Sequence, residues 1–271
     1  MQTLTPEQVA LYLHLLGVER QEPTLEFLRR VVSSHLQRIP FENISKLWRK
    51  KRYGLVGIPT IEQFLDGINR YCFGGTCYSN NYYLNLLLGA LGFDVRLCGA
   101  DMSLPDVHMV SRVRVQVGEY LVDVGYGAPF FAPIPLAADW STQLGQWKFE
   151  LTPDRAAGAW RMRQFWNGVY EHGYLAKPQP KTLNDFEPAI TSSFAPQATF
   201  MRAVMLTRFR PGQAVVIRNL TITKSDAEHN VERRVASRAE LCDEIERLFS
   251  ISAEIAAEAL STVPEPFGKL D

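Results

Sequence analysis

Hydrophobic residues in the first ninety positions recur at the spacing of amphipathic helices. Thr5-Pro6-Glu7 is typical of a helix start, with Thr5 as N-cap and the proline at the first helical position. A second helix is predicted from about Thr24 to Leu36, because its apolar positions fall on one face. Thr60 and Gln63 form a capping-box pattern that begins a third helix.

From about Val95 the pattern changes to the alternation that is typical of β-strands. Valines at positions 113, 115 and 117 alternate with polar residues, and Gly118-Glu119 separates them from Tyr120–Val124, which predicts a two-residue hairpin turn. Three further short strands are bounded by Gly and Pro: Trp147–Leu151, Trp160–Phe165 and Val169–Tyr174. Spacing of this kind predicts a small antiparallel barrel.

The last third of the chain mixes strands and helices. Lysine and proline breakers between Ala176 and Phe186 predict a linker. Beyond it we predict two strands and then two helices, at Ala203–Phe209, at Ala214–Thr223, after the Ser237–Glu240 capping box, and after Ser252.

The order of these elements predicts an α+β fold in three parts. They are an N-terminal helical bundle over residues 1–92, a central antiparallel β-barrel over 93–185, and a C-terminal α/β lid over 186–271. A chain of 271 residues is long enough for several modules around a shared core.

The charge balance and the cysteine spacing argue against several classes of protein. Lys plus Arg equals Asp plus Glu at 29 each, so the chain lacks the basic excess of a duplex-binding protein. The one dense basic run, Arg49–Arg52, is interpreted as a solvated turn. No apolar stretch is long enough to span a bilayer and no signal peptide is evident, so we expect a cytoplasmic protein. Four cysteines without CxxC spacing argue against zinc and redox disulfides.

Cys77 has the setting of a nucleophile. It follows Gly74-Gly75 and precedes Tyr82–Leu91, an almost wholly apolar run that predicts a buried helix. A helix start has unpaired N–H groups and the positive end of the helix dipole, which stabilise a thiolate and an oxyanion. The glycines allow close approach by a substrate. A small buried hydrophobe is the alternative interpretation of Cys77.

A nucleophilic cysteine needs a histidine base and a group that orients it. His108 opens a strand and can project toward a helix start, while Asp123 is a carboxylate within an apolar run, which is costly unless it is paired. With Gly118-Glu119 as the turn, Arg114 lies opposite Asp123, and His108 lies about 20 Å farther along the ladder. Two partners for Asp123, His108 and Arg114, therefore remain open.

Five elements in order along the first 130 residues resemble motifs of the arylamine N-acetyltransferases. They are Ile39-Pro40-Phe41-Glu42-Asn43, Phe73-Gly74-Gly75-Thr76-Cys77-Tyr78, Asn81, Leu91-Gly92-Phe93, and His108 followed by Asp123-Val124-Gly125-Tyr126-Gly127. The second resembles the family's Arg-Gly-Gly-x-Cys motif, and the last resembles its His followed by Asp-Val-Gly-Phe-Gly.

The resemblance implies a cysteine-protease-like core with Cys77, His108 and Asp123 as a catalytic triad. It implies a ping-pong reaction in which Cys77 takes an acetyl group from acetyl-CoA, a co-substrate, and passes it to an aromatic amine or hydrazine without a metal. Phe41 and Tyr126 match aromatic positions of the acceptor pocket, and Met102 falls where a pocket aliphatic residue usually lies. Plain core packing is the alternative for these three residues.

Two residues depart from the family pattern. Phe73 stands where the family has Arg, so Glu42 needs another cation, for which Arg70 is one candidate. Ser79 stands where Glu or Gln is common. Three alternatives therefore remain beside an arylamine N-acetyltransferase: an amide synthase of the same family, a hydrolase or transglutaminase-like enzyme with the same triad, and a binding protein that keeps only the fold.

Overall fold

The computed structural model describes residues 3–265 and 267–268. Its first part consists of five helices and one two-residue strand: α1 (Pro6–Leu16), α2 (Leu25–Arg38), β1 (Phe41–Glu42), α3 (Ile44–Tyr53), α4 (Ile61–Tyr71) and α5 (Cys77–Ala90). The capping boxes at Thr5 and Thr60 are present, which confirms the predicted starts of α1 and α4.

An eight-stranded antiparallel sheet follows and curls into a nearly closed barrel. Its strands in chain order are β2 (Asp94–Asp101), β3 (His108–Val115), β4 (Gly118–Val122), β5 (Ile134–Pro135), β6 (Trp140–Leu144), β7 (Trp147–Asp154), β8 (Ala159–Trp166) and β9 (Val169–Pro180). The spatial order is β5-β4-β3-β2-β9-β8-β7-β6. Inward-facing residues such as Val110, Leu121, Leu151 and Met162 fill this barrel as a core of its own.

The C-terminal part forms a second sheet with flanking helices. A short 3-10 helix (Leu183–Phe186) is followed by α6 (Glu187–Ser192), α7 (Thr199–Arg202), β10 (Met205–Arg210), β11 (Gln213–Arg218), β12 (Thr221–Ser225), β13 (Asn230–Arg234), α8 (Arg238–Phe249) and α9 (Ala253–Leu260). The sheet order is β1-β10-β11-β12-β13, so β1 from the N-terminal part forms one edge of this sheet.

Helices α1–α5 share a single large core with this C-terminal sheet and its helices. Leu28, Leu84, Leu206, Ile217 and Phe249 all belong to it. The start of α5 therefore lies where the three parts of the chain meet. The proposed domain boundaries at residues 92 and 185 stay predictions.

The predicted hairpin turn at Gly118-Glu119 is wrong. Val115 pairs with Gly118 and Arg114 with Glu119, so the turn is Gln116–Val117. The register is displaced from the predicted one because Gly118, with φ of +148°, begins the returning strand instead of the turn. Arg114 also forms its ion pair with Glu119, at 2.7 Å, and so is not the partner of Asp123.

Three other segments differ from prediction. The strand predicted at Ala214–Thr223 is two strands, β11 and β12, because Asn219 adopts a left-handed conformation (φ +54°) and reverses the chain. The segment predicted as a linker is strand β9 as far as Pro180 and then the 3-10 helix. The basic run Arg49–Arg52 is not a turn but the second half of α3, and Arg49 is buried.

Candidate active site

Cys77 is the first residue of α5, with Thr76 at the N-cap position. The glycines before it meet other parts of the chain closely. A Cβ on Gly74 would lie 1.9 Å from the Pro40 carbonyl oxygen, and one on Gly75 would lie 2.4 Å from Ser79 Oγ. The turn therefore needs glycine for its own packing, and it places Cys77 in the first helical turn, where unpaired N–H groups favour negative charge.

His108 and Asp123 form a buried pair. His108 opens β3 and Asp123 directly follows β4, and His108 Nε2 lies 2.8 Å from Asp123 Oδ2. Burial by itself would lower the pKa of His108, but the Asp123 carboxylate, and after it a hydrogen bond and charge interaction with Cys77, outweigh burial and raise this pKa. Burial opposes ionisation of Asp123, but His108 and hydrogen bonds from its neighbours hold the Asp123 pKa below its ordinary value.

The observed register explains why this pair forms. Ser111 pairs with Val122, and continuing the ladder by one residue places Asp123 opposite Val110. His108 is two residues from Val110, so its side chain lies on the same face of the sheet, diagonal to Asp123 and within reach of a long side chain. The difficulty raised by the predicted turn is thereby removed without a bend or bulge.

Cys77, His108 and Asp123 are thus brought together. Because Nε2 of His108 is bonded to Asp123, Nδ1 is the ring nitrogen that can serve the Cys77 thiol. A thiol, an imidazole with raised proton affinity and a buried carboxylate form the arrangement that nucleophilic acyl transfer requires.

Asn81 connects these groups, one helical turn after Cys77. Its Nδ2 donates to Asp123 Oδ1 at 2.8 Å and to the Met109 carbonyl at 2.7 Å, and its Oδ1 accepts the Val124 N–H at 2.8 Å. The i, i+4 spacing from Cys77 indicated only that the two side chains share one helix face. The residues alone gave no indication that Asn81 orients Asp123.

Glu42 holds the turn before Cys77. It is fully buried, and its carboxylate accepts the N–H groups of Gly74 at 3.1 Å and Ser45 at 2.8 Å. Burial raises the pKa of Glu42, against these hydrogen bonds and the charge of Arg49. The charge of Arg49 thus offsets part of the effect of burial on Glu42.

Phe73 and Arg49 together replace the cation expected before Gly74. The Arg49 guanidinium lies 5.3 Å from the Phe73 ring centroid, and its Nη2 donates to the Gln63 carbonyl at 2.7 Å. The hypothetical substitute Arg70 instead pairs with Asp66 on the surface, at 3.7 Å. The sequence hypothesis for Arg70 is wrong, because Arg70 points away from Glu42 toward a carboxylate one turn earlier.

The three predicted pocket residues lie in two groups. Tyr126 packs edge to face against His108, with ring centroids 5.8 Å apart, and its hydroxyl lies 2.5 Å from His172 Nδ1. Met102, like Tyr126, packs against the barrel core. Phe41 is in β1 and contacts the ring of Phe200 at 5.7 Å. Sequence reasoning missed His172 and Phe200, for which no motif gave a signal.

Comparison with known proteins gives a family match and several relatives. A family model described as N-acetyltransferase matches residues 24–258. The arylamine N-acetyltransferase of Mycolicibacterium smegmatis is 29% identical over 261 residues, covering 89% of this chain and 90% of the relative. The proansamycin X synthase of Amycolatopsis mediterranei is 29% identical over 174 residues, covering 60% and 64%.

The solved structure of the Mycobacterium marinum arylamine N-acetyltransferase in complex with CoA has the same fold. Its TM-score is 0.80 at 21% identity, over 94% of this chain and 100% of that one. This likeness confirms the predicted bundle, barrel and lid. The matches together define the chain as an acyltransferase. More narrowly, it belongs to the arylamine N-acetyltransferase family.

Proposed function

We propose that this protein transfers an acetyl group from acetyl-CoA to the nitrogen of an arylamine or arylhydrazine through an acetyl-Cys77 intermediate. The observation that carries the proposal is the buried His108–Asp123 pair, joined at 2.8 Å and interacting with Cys77 at a helix start. Membership of the family supports acetyl transfer, and the CoA complex of the relative from M. marinum supports acetyl-CoA as donor.

In the first half-reaction, the Cys77 thiolate attacks the thioester carbonyl of acetyl-CoA. The bond between the acetyl carbon and the CoA sulfur breaks, and the CoA thiolate takes the proton of the His108 imidazolium. N–H groups at the start of α5 are the donors available to the oxyanion of the tetrahedral intermediate. Asp123 keeps the imidazole ring oriented and stabilises its charged form.

In the second half-reaction, the acceptor nitrogen attacks the acetyl carbon of acetyl-Cys77. His108, now neutral, takes a proton from this nitrogen, the carbon–sulfur bond breaks, and the Cys77 thiolate and His108 imidazolium are restored. We propose Phe41, Met102 and Tyr126 as walls of the acceptor pocket, since aromatic and aliphatic side chains suit an aromatic ring.

A second function is an amide synthase that uses the same triad with a different acyl donor. The match to proansamycin X synthase favours keeping this alternative. An acetyl-enzyme that forms readily from acetyl-CoA and is discharged by an arylamine supports the first function. Slow acetylation of a Cys77 that still reacts with larger acyl thioesters supports the second.

Intact-protein mass spectrometry after incubation with acetyl-CoA tests the proposal. We expect a gain of one acetyl group that maps to Cys77 and disappears when an arylamine is added. Cys77→Ser should abolish both the adduct and turnover. Cys72→Ala is the matched control and should leave them unchanged, because Cys72 lies at the end of α4, away from the first turn of α5. Turnover by the Cys77→Ser variant at the wild-type rate would refute the mechanism.

A further inference from the structure

Four charged side chains of the barrel form a continuous network beside the β2–β3 loop (residues 102–107). Lys177 Nζ lies 2.7 Å from Asp101 Oδ1 and 2.8 Å from Asp106 Oδ1. Lys181 Nζ lies 2.8 Å from Asp106 Oδ2. The four side chains are between 20% and 32% exposed, so these ion pairs are partly withdrawn from water. Because Asp101 ends β2 and Asp106 lies two residues before β3, the lysines, on β9 and just after it, hold both ends of the loop.

The backbone and the carboxylate of Asp106 are both fixed by this arrangement. Asp106 adopts a left-handed conformation (φ +55°), and its N–H donates to Asp101 Oδ1 at 2.9 Å. A Cβ on Gly99 of β2 would lie 1.9 Å from Asp106 Oδ1, so the carboxylate lies directly against the strand. Burial opposes ionisation of Asp106, but hydrogen bonds from Lys177 and Lys181 outweigh it and hold the Asp106 pKa below its ordinary value. The carboxylate is therefore charged at neutral pH.

The β2–β3 loop joins this network to both reacting residues. Val107 directly follows Asp106, and its carbonyl accepts the Tyr78 hydroxyl at 3.0 Å. Tyr78 is the residue after Cys77, and His108 is the residue after Val107. A displacement of Asp106 is therefore passed to His108 across one residue, and to the start of α5 through a single hydrogen bond.

We propose that Asp106 is a positioning residue: its ion pairs with the two lysines fix the β2–β3 loop, and the loop fixes His108 relative to Cys77. This inference rests on the proposed function, in which His108 and Cys77 act together. Asp106 acts by geometry, because its carboxylate is directed to Lys177 and Lys181 and not to the reacting atoms. A displaced imidazolium would stabilise the Cys77 thiolate less, so the reactivity of this sulfur reports on the network.

The pH profile of Cys77 alkylation by iodoacetamide tests this role in Asp106→Asn. Asparagine has the same shape and also tolerates the left-handed conformation, so the variant removes the charge alone. Near pH 6.5 we expect alkylation of Cys77 to be about fivefold slower than in the wild type, and at high pH, where the thiol ionises unaided, the rates should converge. Single-turnover acetylation by acetyl-CoA should be about tenfold slower or more. The buried Cys98 and Cys242 should stay unreactive, which a general loosening of the fold would not allow.

A second variant and a control separate this network from other ion pairs. Gly99→Ala keeps every charge, but its methyl group displaces the Asp106 carboxylate and should shift the profile in the same direction. Asp154→Asn is the matched control, because this carboxylate is 22% exposed, against 20% for Asp106, and pairs with Arg161 at 2.8 Å in the β7–β8 hairpin. It should leave the profile unchanged. If Asp106→Asn does not fold, Lys177→Gln disrupts the same network and should shift the profile likewise.

The possible negative results have different meanings. An Asp106→Asn profile that superimposes on the wild-type profile, or an equal shift in Asp154→Asn, overturns the role of Asp106. Alkylation of Cys98 in Asp106→Asn also overturns it, because Asp106 would then hold the barrel together and not position the base. A wild-type Cys77 that reacts no faster than Cys72 at pH 6.5 and gains no acetyl group from acetyl-CoA overturns the proposed function itself.

Discussion

We expect a buried histidine of the helical bundle, His35, to make the stability of this protein depend on pH. His35 is a residue of α2 without exposure to solvent, and its Nε2 is 3.0 Å from the hydroxyl of Tyr12 in α1. Burial lowers the pKa of His35 to about 3. The folded chain therefore holds this ring neutral over a pH range in which the unfolded chain binds a proton.

We predict that replacing His35 flattens the pH dependence of stability. Because the pKa of His35 is lower in the folded chain than in the unfolded chain, the unfolded chain binds a proton first as pH falls below about 6.5. The contribution of neutral His35 to the free energy of unfolding is therefore fully present above about pH 6.5 and is lost as pH falls toward 3. The loss is up to about 1.4 kcal/mol per pH unit. Urea unfolding between pH 4 and 7 should show a smaller slope for His35→Leu than for the wild type. His14→Leu, on the exposed face of α1, should keep the wild-type slope. Equal slopes for His35→Leu and the wild type would contradict the prediction.

Gly125 determines how closely the loop after Asp123 approaches the nucleophile. A Cβ at this position would lie 2.6 Å from Cys77 Cα and 2.7 Å from Asn81 Nδ2. We predict that Gly125→Ala lowers acetyl transfer about 100-fold or more, since displacements of about 1 Å at a reacting centre have effects of that size. Gly89→Ala, whose Cβ would meet Val95 at an ordinary 3.6 Å, is the matched control and should remain active in the same assay. Similar activity of the two variants would show that the loop after Asp123 can shift to accommodate the added methyl group.

At the scale of elements, the parts predicted correctly from sequence are those set by local chemistry. The capping boxes of α1 and α4 each lie within four consecutive residues, so sequence alone located them. The barrel was predictable because period-two alternation persists along β3. The turn was not, because Gln116–Val117 has no turn signature while Gly118-Glu119 resembles one. The turn lies two positions earlier than predicted. This changes the strand register, so Asp123 pairs with His108 and not with Arg114.

Helix α3 was missed for a different reason. Its many charges suggest a solvated turn, yet its side chains contact partners far along the chain: Lys46 donates to Ser193, Trp48 to Glu258, and Lys50 to the Phe194 carbonyl. Such partners lie up to 210 positions away along the chain, so no local pattern indicates them. The family motifs predicted the triad, whereas the spacing of residues along the chain did not distinguish His108 from Arg114 as the partner of Asp123.

Arg49 of α3 contributes to stability through its charge near the buried Glu42, which holds the turn before Cys77. We predict that Arg49→Met lowers the free energy of unfolding by roughly 2–4 kcal/mol, because it leaves the buried Glu42 without a compensating charge. Adding Glu42→Gln should recover part of this loss, so the two changes should be non-additive in a double-mutant cycle of urea unfolding. Arg70→Met, on the exposed face of α4, should cost no more than about 0.5 kcal/mol. A loss for Arg49→Met as small as that would mean that Arg49 does not compensate the charge of Glu42.

At the scale of the whole molecule, the C-terminal sheet is tied to the N-terminal helices at β1. Asn43, directly after β1, is fully buried, and its Nδ2 donates to the carbonyls of Phe200 at 2.9 Å and Ala203 at 2.8 Å. Its Oδ1 accepts the Met205 N–H at 2.9 Å. One side chain thereby fixes the start of β10, and with it the segment that carries Phe200 toward Phe41.

Removing this side chain should loosen the C-terminal sheet while the barrel stays intact. Asn43→Ala removes the side-chain partner of the buried Ala203 carbonyl and of two partly buried groups, the Phe200 carbonyl and the Met205 N–H. A buried polar group that loses its partner costs about 1–3 kcal/mol. We predict faster hydrogen exchange in peptides that cover β10 and β11, and unchanged exchange in β7 and β8, whose hydrogen bonds lie within the other sheet. Asn69→Ala, on the exposed face of α4, should alter neither set. Unchanged exchange of β10 in Asn43→Ala would mean that the shared hydrophobic core, and not Asn43, holds the sheet in place. In that case Phe200 would keep its position against Phe41, and acetyl transfer by the variant would match that of the wild type.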